Sequence, residues 1–321
     1  MNTNRIILCM LLTMSLTAAK AQETYQMVIE KNNGSITTFD VRDIKRTYFQ
    51  ISGGSTSTGV FQGVQRVFGN NHLRKSTYAK TASSTSYNDD YEFEITYNSD
   101  GNVEKVQILD DNEWNATQML EYSDGQILVT AYEGDNPYAQ MFVTIGENGF
   151  ASKVTATADG KTYTTDYTYD SDGHLIRFAD TYNGETTTQI LTWFEGDLVS
   201  VSSTSPNGET SSSQIYYKSE TQEPIANTSS MLPLNSDITG VDGDHIDPTF
   251  FIGVLGFATK HLPIARTSTE TYSSGSTYTQ SSKFTWTLDD NNRPIKMINN
   301  GEQKYNGSDD ITWTSTYTFD W

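Results

Sequence analysis

Cysteine is almost missing from this chain. The single one, Cys9, sits inside a short apolar run near the start. The remainder therefore has no disulfides and no thiol chemistry. Histidine is scarce as well: His72, His174, His245 and His261 are scattered, none spaced as a metal ligand with a partner. No Gly-x-Ser-x-Gly elbow and no phosphate-binding loop occurs. These gaps give no catalytic residue, no metal site and no cofactor to expect. Positive charge is short too, with 21 Lys+Arg against 40 Asp+Glu and a net charge of −19. That balance argues against nucleic acid and against an anionic membrane surface as partners. Long apolar runs are missing: Ile6 to Leu16 is eleven residues, and a spanning helix needs about 20.

That short run has a different use. Arg5 precedes it and Ala19-Lys20-Ala21 follows it, the pattern of a cleavable export signal over residues 1–21. Cys9 lies within the run rather than after it, so lipidation is not expected. Cleavage removes Arg5 and Lys20 and no acid, which leaves 19 bases against 40 acids, or −21. The chain reads as an exported bacterial protein of the periplasm, the outer membrane or cell surface, or the medium.

What is present is a repeat. Gly101, Gly125, Gly149, Gly173 and Gly196 are separated by 24, 24, 24 and 23 residues. Gly160, Gly184 and Gly208 form a second series at 24, with Asp111-Asn112 and Asp135-Asn136 in the matching places upstream. The unit is a hairpin with a turn every 12 residues or so. Asn-Gly and Asp-Gly suit tight turns because positive φ costs glycine nothing and Asn or Asp little. Between turns the residues alternate: in Tyr163 to Tyr169 a tyrosine falls at positions 163, 167 and 169, with polar residues between. Ten such turns predict about eleven consecutive antiparallel strands. The predicted fold is all-β, a long up-and-down meander that curls into a half-open barrel, because a flat sheet would expose sticky edges.

The flanks differ. Residues 22–50 read as a small hairpin turning at Asn33-Gly34, and residues 51–90 as weakly patterned linker with an extra strand over Val60 to Phe68. The repeat-built domain takes residues 91–321. After residue 218 the period breaks. Asp247 and Pro248 then suggest a helix start, and the apolar run Phe250 to Ala258 follows, closed by Leu262-Pro263. A covering helix over Pro248–Lys260 is expected, buried because it is apolar on nearly all sides. Strands resume at Ala265. Asn292 lies 96 residues past Gly196, four repeat lengths, so the meander continues after the insertion.

Three features together resemble an envelope family of Bacteroides-type bacteria, a domain of unknown function with a porin-like fold. They are the Tyr-x-Ser-Asp-Gly hairpins (Tyr97 to Gly101, Tyr169 to Gly173), the block from Phe250 to Pro263, and the Thr-Tyr-Thr strands running to Trp286. The likeness spans about residues 85–321. It implies a large, partly closed antiparallel structure on the cell envelope, and no reaction.

Two features could carry function. Asp237, Asp242, Asp244 and Asp247 make an oxygen-rich stretch, read here as a solvated acidic loop because a calcium-loop signature is missing. Aromatics are the stronger lead: Trp114, Trp193, Trp286 and Trp313 are the candidate ligand-binding residues, on strands where Tyr and Trp otherwise build a core. The expected function is a non-catalytic envelope binding or structural protein, its partner a glycan, a polymer or another envelope protein. An outer-membrane channel is the alternative, favoured by the alternating aromatic end Trp313-Tyr317-Phe319-Trp321. Polar outward positions such as Thr186, Thr188, Ser211 and Ser213 oppose it. An envelope hydrolase comes third.

Overall fold

The computed structural model describes residues 26–30, 36–40, 61–83, 89–110, 115–158, 160–231, 238–241, 251–305 and 310–321. The export signal lies outside them. The chain divides into two compact units, residues 1–54 and 55–321. In the first, β1 (Gln26–Glu30) pairs with β2 (Ile36–Asp40) as the expected antiparallel hairpin.

The second unit begins with a short helix, α1 (Gly63–Phe68), and strand β3 (Lys75–Ala82). Both fall in the stretch read from sequence as linker, and the strand expected over Val60 to Phe68 is helical instead. Val64 and Val67 are buried and Gln65 is exposed, so one face of a single turn packs inward where strand alternation had been read. The meander follows: β4 (Asp89–Tyr97), β5 (Val103–Asp110), β6 (Asn115–Ser123), β7 (Gln126–Glu133), β8 (Asn136–Ile145) and β9 (Ala151–Ala158). It continues through β10 (Lys161–Tyr169), β11 (Leu175–Tyr182), β12 (Glu185–Phe194), β13 (Asp197–Thr204) and β14 (Thr210–Tyr216). After an insertion holding the small pair β15 (Ile225–Ala226) and β16 (His261–Leu262) come β17 (Ala265–Thr271), β18 (Thr277–Leu288), β19 (Pro294–Tyr305) and β20 (Ile311–Asp320).

Strands β4 to β14 are the eleven the repeat predicts. β14 pairs β17 across the insertion, and β20 pairs β3. The sixteen strands therefore form a closed antiparallel barrel, and closure removes the edges that a half-open sheet would leave. The two glycine series lie on opposite rims, as consecutive antiparallel strands require. All eight glycines have positive φ, between +70° and +87°. On one rim the turns share a further device. Asn98, Asp170 and Asp289 each accept, at Oδ1, the backbone N–H groups two and four residues on, at 2.8–3.1 Å.

Alternation sorts the faces. On β20, Trp313, Ser315, Tyr317 and Phe319 are buried, while Thr312, Thr314, Thr316 and Thr318 point outward. On β18, Ser282 and Phe284 are buried between exposed Ser281, Lys283 and Thr285. On β10, Thr165 and Tyr167 face in, and Thr162, Asp166 and Thr168 face out. The inner face carries the core, with Val106, Ile127, Val143, Leu175, Phe178, Leu198 and Met297 at 0–1% exposure.

A circular barrel of 16 strands normally leaves an aqueous channel. Here one end is stopped. Residues 251–260 cross the rim as an extended, turning segment, and this corrects the expected helix: Phe251 ends a helical turn and no residue from 252 to 260 is helical. The spacing of the rim explains why. Ala151 N–H donates to Val254 O at 2.8 Å, Phe257 N–H to Gly173 O at 3.0 Å, and Lys260 N–H to Gly196 O at 2.9 Å. The segment thus meets successive hairpin turns at residues 254, 257 and 260. Two strand spacings are about 10 Å, and three extended residues also span about 10 Å. A helix would advance only about 4.5 Å in three residues and miss the turns.

The expected burial holds for Phe251, Val254 and Leu255; Phe257 is half-buried, and Phe250 lies outside the described residues. Ile252 and Val254 are at 0%, Leu255 at 1% and Phe251 at 9% exposure. Two glycine contacts set the approach. A Cβ on Gly256 (φ +95°) would sit 2.6 Å from Gly173 O, and one on Gly253 would run into the Gly63 carbonyl of α1. Earlier in the insertion, Ile238, Thr239 and Val241 are buried, and Gly240 lies against the inward Ser213 and Arg266.

Candidate functional site

The stopped rim is stitched by aromatic groups that donate to carbonyls near the starts of preceding strands. Tyr97 Oη donates to Leu73 O, Tyr122 Oη to Val103 O, and Tyr217 Oη to Leu198 O, at 2.7–3.0 Å. Trp193 Nε1 donates to Leu175 O at 2.8 Å, Trp286 Nε1 to Pro263 O at 2.7 Å, and Trp321 Nε1 to Pro294 O at 2.7 Å. Burial pushes the phenols of Tyr97, Tyr122 and Tyr217 up, so they remain neutral donors.

This places the sequence-predicted tryptophans. Trp193 and Trp286 are half-buried in the stitch, and the Trp193 ring is also stacked on His174 at 4.3 Å. Trp313 is 5% exposed on the inner wall, over Gly301 and under Lys80. Trp114 lies outside the described residues. Three tryptophans thus occupy three strands, β12, β18 and β20, near two different rims.

Asp170, Asp172 and His174 bring three possible metal-ligand atoms within 4.8 Å of one another. The arrangement has a structural cause. Asp170 Oδ1 holds its turn, and its Oδ2 meets His174 Nδ1 at 3.1 Å. At Asp289 the same turn forms with Arg293 in place of the histidine, its Nε donating to Asp289 Oδ2 at 2.9 Å. A metal-independent side chain does the same work there. The four aspartates of the acidic stretch, Asp237, Asp242, Asp244 and Asp247, lie outside the described residues.

The opposite rim is different in kind. Toward it the inner wall changes from aliphatic to tyrosine, hydroxyl and charge. On β10–β12 it holds a cavity of about 250 Å³ lined by Tyr163, Thr165, Asp180, Tyr182, Glu185 and Thr187, with Pro206 of the next turn at its side. Register builds it. Tyr163 is opposite Tyr182, Thr165 opposite Asp180, Asp180 opposite Thr187, and Tyr182 opposite Glu185. The Tyr163 and Tyr182 rings stack at 4.5 Å and 9°. Thr165 Oγ1 donates to Asp180 Oδ1 at 2.6 Å. Lys161 Nζ lies 6.0 Å from the Tyr182 ring centre, and its hydrogen bond holds the Tyr182 phenol below its ordinary range.

Part of this was readable in the chain. The Asn183-Gly184 turn sets Tyr182 opposite Glu185. The pairing of Tyr163 with Tyr182 depends on a bulge at Thr168/Tyr169, which shifts the register by a residue and leaves no plain sequence mark.

Residues 140–296 match the family described as a domain of unknown function with porin-like fold. Over that stretch the chain resembles this porin-like family. Two crystal structures resemble the whole barrel. A porin-like protein from Bacteroides uniformis ATCC 8492 is 18% identical, covers 77% of this chain and 98% of its own, and superposes with a TM-score of 0.59. A porin-like protein from Bacteroides vulgatus ATCC 8482 is 17% identical, with 78% and 99% covered and a TM-score of 0.51. At these identities the likeness is one of fold. No curated protein matches the chain.

Proposed function

We propose that this porin-like chain is an exported, non-catalytic binding protein of the bacterial cell envelope, whose barrel stands in water and receives its ligand at the tyrosine-lined end. The polarity of the two faces carries the reading. A membrane barrel presents an apolar band about 25 Å tall to lipid and keeps its polar residues inside. This barrel has largely the opposite sense: threonine, serine and charge outside, and inside mainly aliphatic and aromatic residues, with polar groups such as Gln189, Arg266 and Asn299 among them. Exposed apolar side chains on the wall, such as Ile190 at 43% and Phe194 at 64%, are single and interrupted by threonines. The segment at 251–260 further opposes a through-channel, since it blocks the lumen with side chains at 0–1% exposure.

Cell fractionation and planar-bilayer recording test this. The expected result is release from envelopes by salt or osmotic shock without detergent, and no ion conductance. Retention through carbonate washing, together with discrete conductance steps, would replace the reading by the channel.

A further inference from the structure

The tyrosine-lined cavity has a chemistry of its own. Its walls combine one aromatic pair, two carboxylates and several hydroxyls, with an ammonium beside them. Tyr163 covers one side of the Tyr182 ring, and the register partner on the other side is Glu185. The second side of that ring therefore opens toward the carboxylates rather than toward another ring. Asp180 Oδ1 accepts a hydrogen bond from the Thr165 hydroxyl, which orients the carboxylate along the wall. Lys161 supplies a donor at the Tyr182 hydroxyl. Donors and acceptors thus occur together around one flat apolar surface, within a space of about 250 Å³.

Several ligand classes fit this lining poorly. A purely apolar ligand would desolvate the Asp180 and Glu185 carboxylates and add no hydrogen bond to either. An anion would face both carboxylates. A simple cation would meet Lys161 beside the ring it needs. A neutral polyhydroxyl ring suits all the groups at once: its C–H face lies on tyrosine, and its hydroxyls donate to the carboxylates and accept from Lys161 and the phenols.

We propose that the cavity formed by Tyr163, Thr165, Asp180, Tyr182 and Glu185 binds one ring of a neutral saccharide, entering from the open rim. The site deepens, and rests on, the reading of the chain as a water-standing envelope binding protein. It also moves the recognition surface from tryptophan to tyrosine.

The test uses the full chain, purified without detergent, and a panel of neutral trisaccharides of glucose, mannose, galactose and xylose. Saturation-transfer NMR and calorimetry read binding. At least one trisaccharide is expected to bind, with affinity reduced about fivefold by Tyr182→Leu and at least as strongly by Asp180→Asn. Trp193→Phe and the outer-face change Thr314→Ala leave affinity unchanged, and thermal midpoints confirm that each variant is folded. Three results would overturn the site: no trisaccharide binding, binding that survives both cavity variants, or binding of choline or spermidine in place of sugar. A chain that cannot be kept in solution without detergent would instead overturn the reading on which the site rests.

Discussion

At one rim, Gly173 and Gly196 give their carbonyls to the crossing segment, and a Cβ on Gly173 would strike Phe257 at 2.8 Å. At the other, a Cβ on Gly160, Gly184 or Gly208 would meet nothing within 4 Å. The turns themselves are nearly the same chemistry, Asp-Gly, Asn-Gly or, at Gly196, Glu-Gly, with the glycine at positive φ. What separates the ends is the insertion between β14 and β17, which packs on one rim and leaves the other. The repeat builds a wall, and a non-repeating stretch decides which end of the wall is sealed.

The largest effect should come from the closest backbone approach. Gly256→Val combines a forbidden φ with a collision against Gly173 O, and is expected to cost about 4 kcal/mol or more. Chemical denaturation would show it, and a loss below about 1 kcal/mol would mean that the segment does not seal the rim. Next, Trp193→Phe removes a donor and leaves the Leu175 carbonyl without it, for an expected loss of about 1–2 kcal/mol. The same change at a stitch-free aromatic position should cost less. At the open rim, Gly184→Ala meets only the strain of φ +82°, about 1 kcal/mol. If it destabilises as much as Gly256→Val, the contrast between the ends is false.

The smallest effect is one of pH. The backbone N–H of Arg293, above all, holds the Asp289 carboxyl below its ordinary value. For Asp170, burial pulls upward, but the hydrogen bonds from His174 and Asp172 outweigh it and the net shift is downward. A depressed carboxyl stabilises the fold above its unfolded pKa, about 3.9, and that stability disappears as pH falls through the lower folded value. The sealed rim should therefore loosen first in acid, below about pH 4. Thermal melts from pH 7 to 3 would follow this, and Asp289→Asn should flatten the acid limb slightly. An unchanged limb in the double variant with Asp170→Asn would remove both turns from the account.

The wall was legible because one residue type marks it. Glycine at positive φ punctuates most of the hairpins, so Gly101 to Gly208 announce the strand count and the two rims. The seal was legible as burial but not as conformation. Phe250 to Ala258 is apolar enough for a buried helix, and only the rim spacing, a tertiary quantity, demands an extended chain at three residues per turn. α1 was missed for a related reason: Val64 and Val67 are too few to set a period. The tryptophans were candidates because they are large aromatics on strands. Trp193 and Trp286 also serve the stitch. The tyrosine cavity depends on a bulge, and single-strand alternation cannot reveal one.

The seam between β20 and β3 has a consequence in time. Thr77 and Thr318, whose hydroxyls meet at 2.6 Å across it, are 241 residues apart. No partial chain ending before β20 can close the barrel, whatever its hairpins have already formed. During synthesis, β3 and β19 must therefore wait as unpaired edges, each able to accept a strand from a neighbouring copy. Late, long-range closure predicts slow final folding. The outward threonines and the acidic surface then matter before the barrel exists, as the features that keep waiting chains apart.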